Sequence, residues 1–142
     1  MATSAESRPE RPIHPLHAVL LASALPLFLG GFLSDLAYDS NYQIQWINFA
    51  AWLIAGAMVF TGLALLWALI DLIRPARRGG RALLYFLLLL ATFILGLIDN
   101  FVHARDAYAT MPTGLILSAI ATVLTLLAVS VGFSTLRRGS AR

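Results

Sequence analysis

The sequence predicts an all-α protein, a four-transmembrane-helix antiparallel bundle running up-down-up-down with both termini cytoplasmic. Three observations lead there. Apolar residues make up 59% of the 142 and charged residues only 12%, with a mean hydropathy of +0.80, well above that of a domain with a solvated surface. Four stretches are each long enough to cross a hydrocarbon core about 30 Å thick, which takes roughly 20 apolar residues rising about 1.5 Å apiece. Nine of the ten arginines fall on one side of the resulting zigzag.

The elements follow in order. Residues 1–12, MATSAESRPERP, are polar and proline-containing, and are expected to form a disordered tail. The membrane domain is expected over 13–136. Its first span covers Leu16–Tyr38, too long an apolar run for a signal peptide and without a small-residue cleavage pattern before Asp35, so it is expected to remain as a membrane helix. Pro26 sits near its middle, where it removes a backbone hydrogen bond and is expected to bend the helix. The other spans are Trp46–Ile73, Ala82–His103 and Thr113–Leu136, and a basic tail follows over 137–142.

Arginine placement gives the orientation, because basic residues in short loops are retained in the cytoplasm. Arg8 and Arg11 precede the first span. Arg74, Arg77, Arg78 and Arg81 lie between the second and third, and Arg137, Arg138 and Arg142 follow the fourth. Only Arg105 lies opposite. The outer loops are then Asp39–Gln45 and Ala104–Pro112, and Tyr38, Tyr42, Trp46, Trp52 and Tyr108 read as an outer aromatic belt, with Trp67 and Tyr85 as the inner one. The net charge of +3 reflects this topology and contact with anionic headgroups of the lipid bilayer; no nucleic-acid partner is expected. The chain has no cysteine, which excludes disulfides, thiolate metal sites and thiol catalysis.

The few ionisable groups gather at the ends of the spans. His17 and Asp35 are eighteen residues apart, five helical turns, so they share a face but sit about 27 Å apart in depth. Asp99 and His103, four apart, share a face on the third span, and Gly96, Thr92 and Tyr85 continue that stripe inward. Two polar clusters result: Asp35, Asp99, His103 and Arg105 on the outer side, and His14, His17, Asp71 and Arg74 on the inner. His14 and His17 are expected to bond Asp71 or the end of the second span. Ser118, Thr122, Thr125 and Gly132 on the fourth span, and Asn48, Trp52, Ala55 and Gly62 on the second, read as seams where helices approach closely. Each cluster also reads plainly as paired, snorkelling end groups. Asp35 and Asp99 each precede an outer loop holding an aspartate and a tyrosine, a hint of a duplicated helical hairpin.

The stretch HPLHAVLLASALPLFLGGFLSDL, with three further apolar spans and GLIDNFVHARD, resembles bacterial four-helix inner-membrane proteins grouped as domain of unknown function 2231. His14, Pro15, His17, Pro26 and Asp35 carry the likeness. The resemblance implies an uncharacterised multi-pass protein of the bacterial inner membrane and a redox neighbourhood, since related domains are sometimes joined to Rieske iron–sulfur or cytochrome c modules.

The leading functional reading is a non-enzymatic membrane subunit, an anchor or quinone-side accessory for a periplasmic redox protein. Tyr38, Tyr42, Arg105 and Tyr108 would form its docking rim, and Asp35, Asp99 and His103 a proton-accepting spot beneath. A second reading is a b-type cytochrome. Bis-histidine ligation within one chain fails on depth, leaving haem b shared by His17 of two parallel chains, as in a homodimer, or haem with another second ligand. A third is a small dimeric proton-coupled transporter, whose broken helix would be the Pro26, Gly30 and Gly31 region. No metal ion is assigned.

Overall fold

The computed structural model describes residues 14–75 and 79–139, with side chains to 134. Four long helices are present: α1 (Pro15–Asn41), α2 (Ile44–Ile73), α3 (Gly80–His103) and, after the four-residue α4 (Ala107–Thr110), α5 (Thr113–Gly139). The windows of α1, α2, α3 and Thr113–Ser134 of α5 are each long and apolar enough to cross a membrane. The expected tail at 1–12, Arg8, Arg11, Arg77, Arg78 and the side chains of Arg137, Arg138 and Arg142 lie outside the described residues.

The helix ends differ from the expected ones by a few residues, each for a local reason. α1 begins at Pro15 because His14 is its N-cap: the ring Nδ1 accepts from the Leu16 amide at 3.3 Å, and proline at the first helical position gives up a hydrogen that has no helical acceptor. Helical backbone continues through Pro26, whose ring faces outward, to Asn41. There Tyr42, with φ of 56°, turns the chain left-handed, and its amide returns to the Tyr38 carbonyl at 2.7 Å. Two residues suffice before α2 starts. The α4 turn was not anticipated in the loop.

The helices form a ring in which α1 packs on α2, α2 on α3, α3 on α5 and α5 on α1. Their buried positions share one rhythm. The repeating ones fall at 17, 21, 24, 28, 31, 35 and 38 on α1, with Ser34 buried beside them, and at 47, 50, 54, 57, 61, 64 and 68 on α2, with Met58 beside them. On α3 they fall at 89, 92, 96, 99 and 103, with Val102 buried beside the last, and on α5 at 114, 118, 121, 125, 128 and 132. Alternating steps of three and four make a heptad seam, the pattern of helices crossing at about 20° in a left-handed bundle.

Small residues let the seams close. A Cβ on Gly31 would come within 2.9 Å of Ile54 Cγ1, and one on Gly96 would strike Met58 and Phe28. Ala50, Ala57 and Ala64 on α2 face inward at steps of seven, as do Ala121 and Ala128 on α5. The expected seam on α2 holds at Gly62, where a Cβ would come within 3.1 Å of Phe93 of α3, and is corrected at its beginning. Asn48 and Trp52 are exposed, with Trp52 at 80%, and the true contact stripe is the alanine one. In lipid an indole fits the outer face of a helix, whereas close approach needs small side chains.

Two apolar layers fill the bundle. Phe28, Ala50, Ile54, Ala57, Met58 and Ala121 form one, and Leu21, Ala64, Ala68, Leu89 and Ala128 the other. The ionisable groups lie beyond these layers, toward the two ends.

Candidate functional site

The cluster expected at the outer end starts from the heptad. Asp35 on α1 and His103 and Asp99 on α3 occupy inward positions of helices that face each other diagonally across the ring, so their side chains meet on the axis. His103 Nε2 stands 2.8 Å from Asp35 Oδ1, and both side chains are fully sealed from solvent. Ser118 of α5 donates its hydroxyl to Asp35 Oδ2. The other ring nitrogen, Nδ1, lies 3.0 Å from the Asp99 main-chain oxygen, one turn back. A carbonyl only accepts, so Nδ1 carries hydrogen. Nε2 and Asp35 then share one proton, as imidazolium with carboxylate or as imidazole with carboxylic acid.

Asp99 differs. Its Oδ1 is 3.0 Å from His103 Nδ1, inside ion-pair range, yet the N–H is aimed at the main-chain oxygen. Neither Asp99 carboxyl oxygen has a hydrogen-bond partner, and both are buried. The imidazole is thus flanked by two carboxyl groups, one bonded and one only near. One ring nitrogen meets the Asp35 carboxyl and the other the Asp99 main-chain oxygen, and among the described residues no group of three His, Asp or Glu side chains is placed to hold a metal ion.

Two supporting residues complete the site. A Cβ on Gly114 would fall 2.9 Å from His103 Cε1 and 2.7 Å from Thr110 Cγ2, so glycine there makes room for the ring. Thr110, buried in α4, donates toward the Val102 carbonyl at 3.2 Å and ties the loop over the cluster. Sequence reasoning placed Ser118 on a seam without linking it to Asp35, and missed Thr110 and Gly114 altogether. The only signal was their small size near a buried histidine.

Other expected members stand apart. Arg105 is exposed and makes no ion pair among the described residues, so it does not join the cluster; it lies two residues past the end of α3. Tyr38, expected at the rim, is 2% exposed and packs inside, on the same heptad seam as Gly31. Tyr42 and Tyr108 are exposed.

At the other end of the bundle, His17 is buried and its Nε2 meets the Tyr85 hydroxyl of α3 at 2.7 Å. The Trp67 ring of α2 stands beside both histidines, with centroids 5.1 Å from His14 and 5.6 Å from His17. Asp71 is half-buried on α2 and Arg74, just past its end, is exposed. His17 and His103 lie at opposite ends of the bundle, each bonded to the diagonal helix, and both His103 nitrogens face acceptors. His17 and His103 therefore do not come together as a ligand pair within one chain.

A ring of four apolar helices around sealed polar groups at its two ends defines a multi-pass α-helical membrane protein. Comparison with protein families assigns it further: the chain belongs to the family described as Predicted membrane protein (DUF2231), whose model matches residues 13–138. No curated protein and no solved structure matches it.

Proposed function

We propose that the protein is a non-enzymatic subunit of the bacterial inner membrane, an anchor that docks a periplasmic redox partner on its outer end. The Asp35–His103–Asp99 cluster serves as a proton-accepting spot beneath the docking surface. The observation that carries this reading is the burial of three ionisable groups in mutual contact, an expensive arrangement in an apolar bundle. Proton exchange needs no open cavity. Catalysis on a bound molecule would need one, and the imidazole is enclosed on every side.

The surface above the cluster supports a docking role. Tyr42, Arg105 and Tyr108 are exposed around it, and aromatic residues with arginine are the types enriched where proteins bind one another. The redox character of the partner rests on the sequence resemblance and the modules to which related domains are joined. Affinity capture of the tagged protein in several mild detergents is expected to recover an electron-transfer protein, and Tyr108→Ala with Arg105→Glu to lose it while the bundle stays folded. Recovery of the chain alone in every detergent would overturn the reading, and a Soret band in the purified protein would favour a cytochrome instead.

A further inference from the structure

Between the two apolar layers of the bundle, three threonines share one level. On α2 Thr61 lies between Ala57 of one layer and Ala64 of the other, on α5 Thr125 lies between Ala121 and Ala128, and on α1 Ala24 lies between Phe28 and Leu21. The offset of 68 residues that joins Asp35 to His103 and His17 to Tyr85 sets Thr92 of α3 opposite Ala24. All four side chains are sealed inside, none more than 1% exposed. We propose that this level binds a single water molecule, held by the hydroxyl groups of Thr61, Thr92 and Thr125.

The hydrogen-bond inventory carries the assignment. A threonine hydroxyl has one hydrogen to donate and two lone pairs. Thr92 directs its hydrogen to the Leu88 carbonyl at 2.8 Å and Thr125 to the Ala121 carbonyl at 2.7 Å, each one turn back, so both oxygens face the interior as acceptors. Thr61 departs from this pattern: its Oγ1 is buried without a hydrogen-bond partner, and the corresponding bond to the Ala57 carbonyl is not made. Its hydrogen is therefore a donor without an acceptor. The level thus offers two acceptors and one donor. Water has two hydrogens and two lone pairs, so it donates to Thr92 and Thr125 and accepts from Thr61, and three such bonds are usual for a buried water. The inward positions here are alanine and threonine and carry no charge, which a metal ion or an anion would need.

The surroundings favour the same occupant. On either side of this level α1 sends Phe28 and Leu21 into the core, whereas here it contributes only the methyl group of Ala24. The layers above and below are apolar, so no other solvent reaches the Thr61 hydroxyl, and a buried donor left unbonded costs more than immobilising one water. The water joins α2, α3 and α5 at one point. It thereby links the α2–α5 diagonal partway along the bundle, as the two side-chain bridges link the α1–α3 diagonal toward its ends.

The test is a crystal structure of the full-length protein, grown from lipid, at a resolution that shows ordered water. One water is expected within about 3 Å of the Oγ1 atoms of Thr61, Thr92 and Thr125. Thr61→Val keeps the shape and removes the donor, and is expected to lose the water; Thr61→Ser keeps the hydroxyl and is expected to keep it. Thr61 bonded to the Ala57 carbonyl with no water at this level would overturn the proposal, and so would a fully occupied water in Thr61→Val. Thermal unfolding in mild detergent gives a second reading. Thr61→Val is expected to melt below the wild type, whereas a higher melting temperature would mean that the native hydroxyl is simply unbonded, and would overturn the proposal too. Should Thr61→Val fail to fold, the density at the three hydroxyls of the wild type decides the matter alone.

Discussion

Asp35 and His103 are 68 residues apart in sequence and 2.8 Å apart in space, and at the other end of the bundle His17 and Tyr85, also 68 apart, meet at 2.7 Å. The same offset at both ends means that α1 and α3 run in one direction, in register, across the diagonal of the ring. Neighbouring helices hold each other by packing. The diagonal pair meets where Phe28 reaches Gly96 near the middle, and is joined by one polar bridge toward each end. The bridges differ in kind: one joins potentially charged groups, the other an imidazole and a phenol.

That difference predicts unequal costs. Asp35→Ala leaves His103 Nε2 and the Ser118 hydroxyl without their acceptor in a dry core, and breaking such a pair costs about 3–5 kcal/mol. The double variant with His103→Ala should cost less than the sum of the two singles, because the second change removes the stranded partner. Unfolding in mild detergent, followed by circular dichroism, measures all three. Strict additivity would mean that the two side chains are merely near each other.

Tyr85→Phe removes the inner bridge and leaves the ring in place. Hydrogen bonds between membrane helices average about 0.6 kcal/mol, with a maximum of about 1.7. The same unfolding assay should therefore show a small loss, several times below that of Asp35→Ala. A loss as large as the outer one would make the His17–Tyr85 contact the principal clamp.

Gly114 tests the packing around the imidazole. In Gly114→Ala the new methyl group meets His103 Cε1 and Thr110 Cγ2 below 3 Å, and overpacking of this kind costs about 1–3 kcal/mol. Gly56→Ala is the control, since its methyl would find only Leu27 Cδ1 at 3.6 Å and alanine is the better helix former. Gly114→Ala should lower the melting temperature while Gly56→Ala holds or raises it. Equal behaviour would show that α4 shifts freely and that the ring is not confined.

The four spans were legible because length and hydropathy are properties of each segment alone. Asp99 with His103, and Tyr85, Thr92 and Gly96 along the same stripe, were legible because polar and small residues are scarce enough to trace one face of α3. The inward face of α2 was not. In water the apolar side of a helix marks the core, but here lipid outside is as apolar as the interior, so Trp52 outside and Ile54 inside look alike in the sequence. The step pattern of three and four does separate them, with alanines at 50, 57 and 64 as its clue. The pairing of Asp35 with Ser118 depends on the order of helices around the ring, and nothing local to either segment encodes that.

The placement of the Asp35 cluster in the outer leaflet depends on orientation, which the arginine distribution predicts and which cysteine labelling can check directly. The chain has no cysteine of its own, so single substitutions report without background. Tyr108, 85% exposed in α4, and Arg74, exposed just past α2, lie at opposite ends of the bundle. In intact spheroplasts a membrane-impermeant maleimide should modify Tyr108→Cys, and should modify Arg74→Cys only after the membrane is opened. The reverse pattern would put Asp35 and His103 on the cytoplasmic side and remove the periplasmic docking reading, while leaving the fold and the diagonal bridges untouched. Modification of both in intact spheroplasts would mean an even number of crossings between them, against the single crossing that α3 supplies.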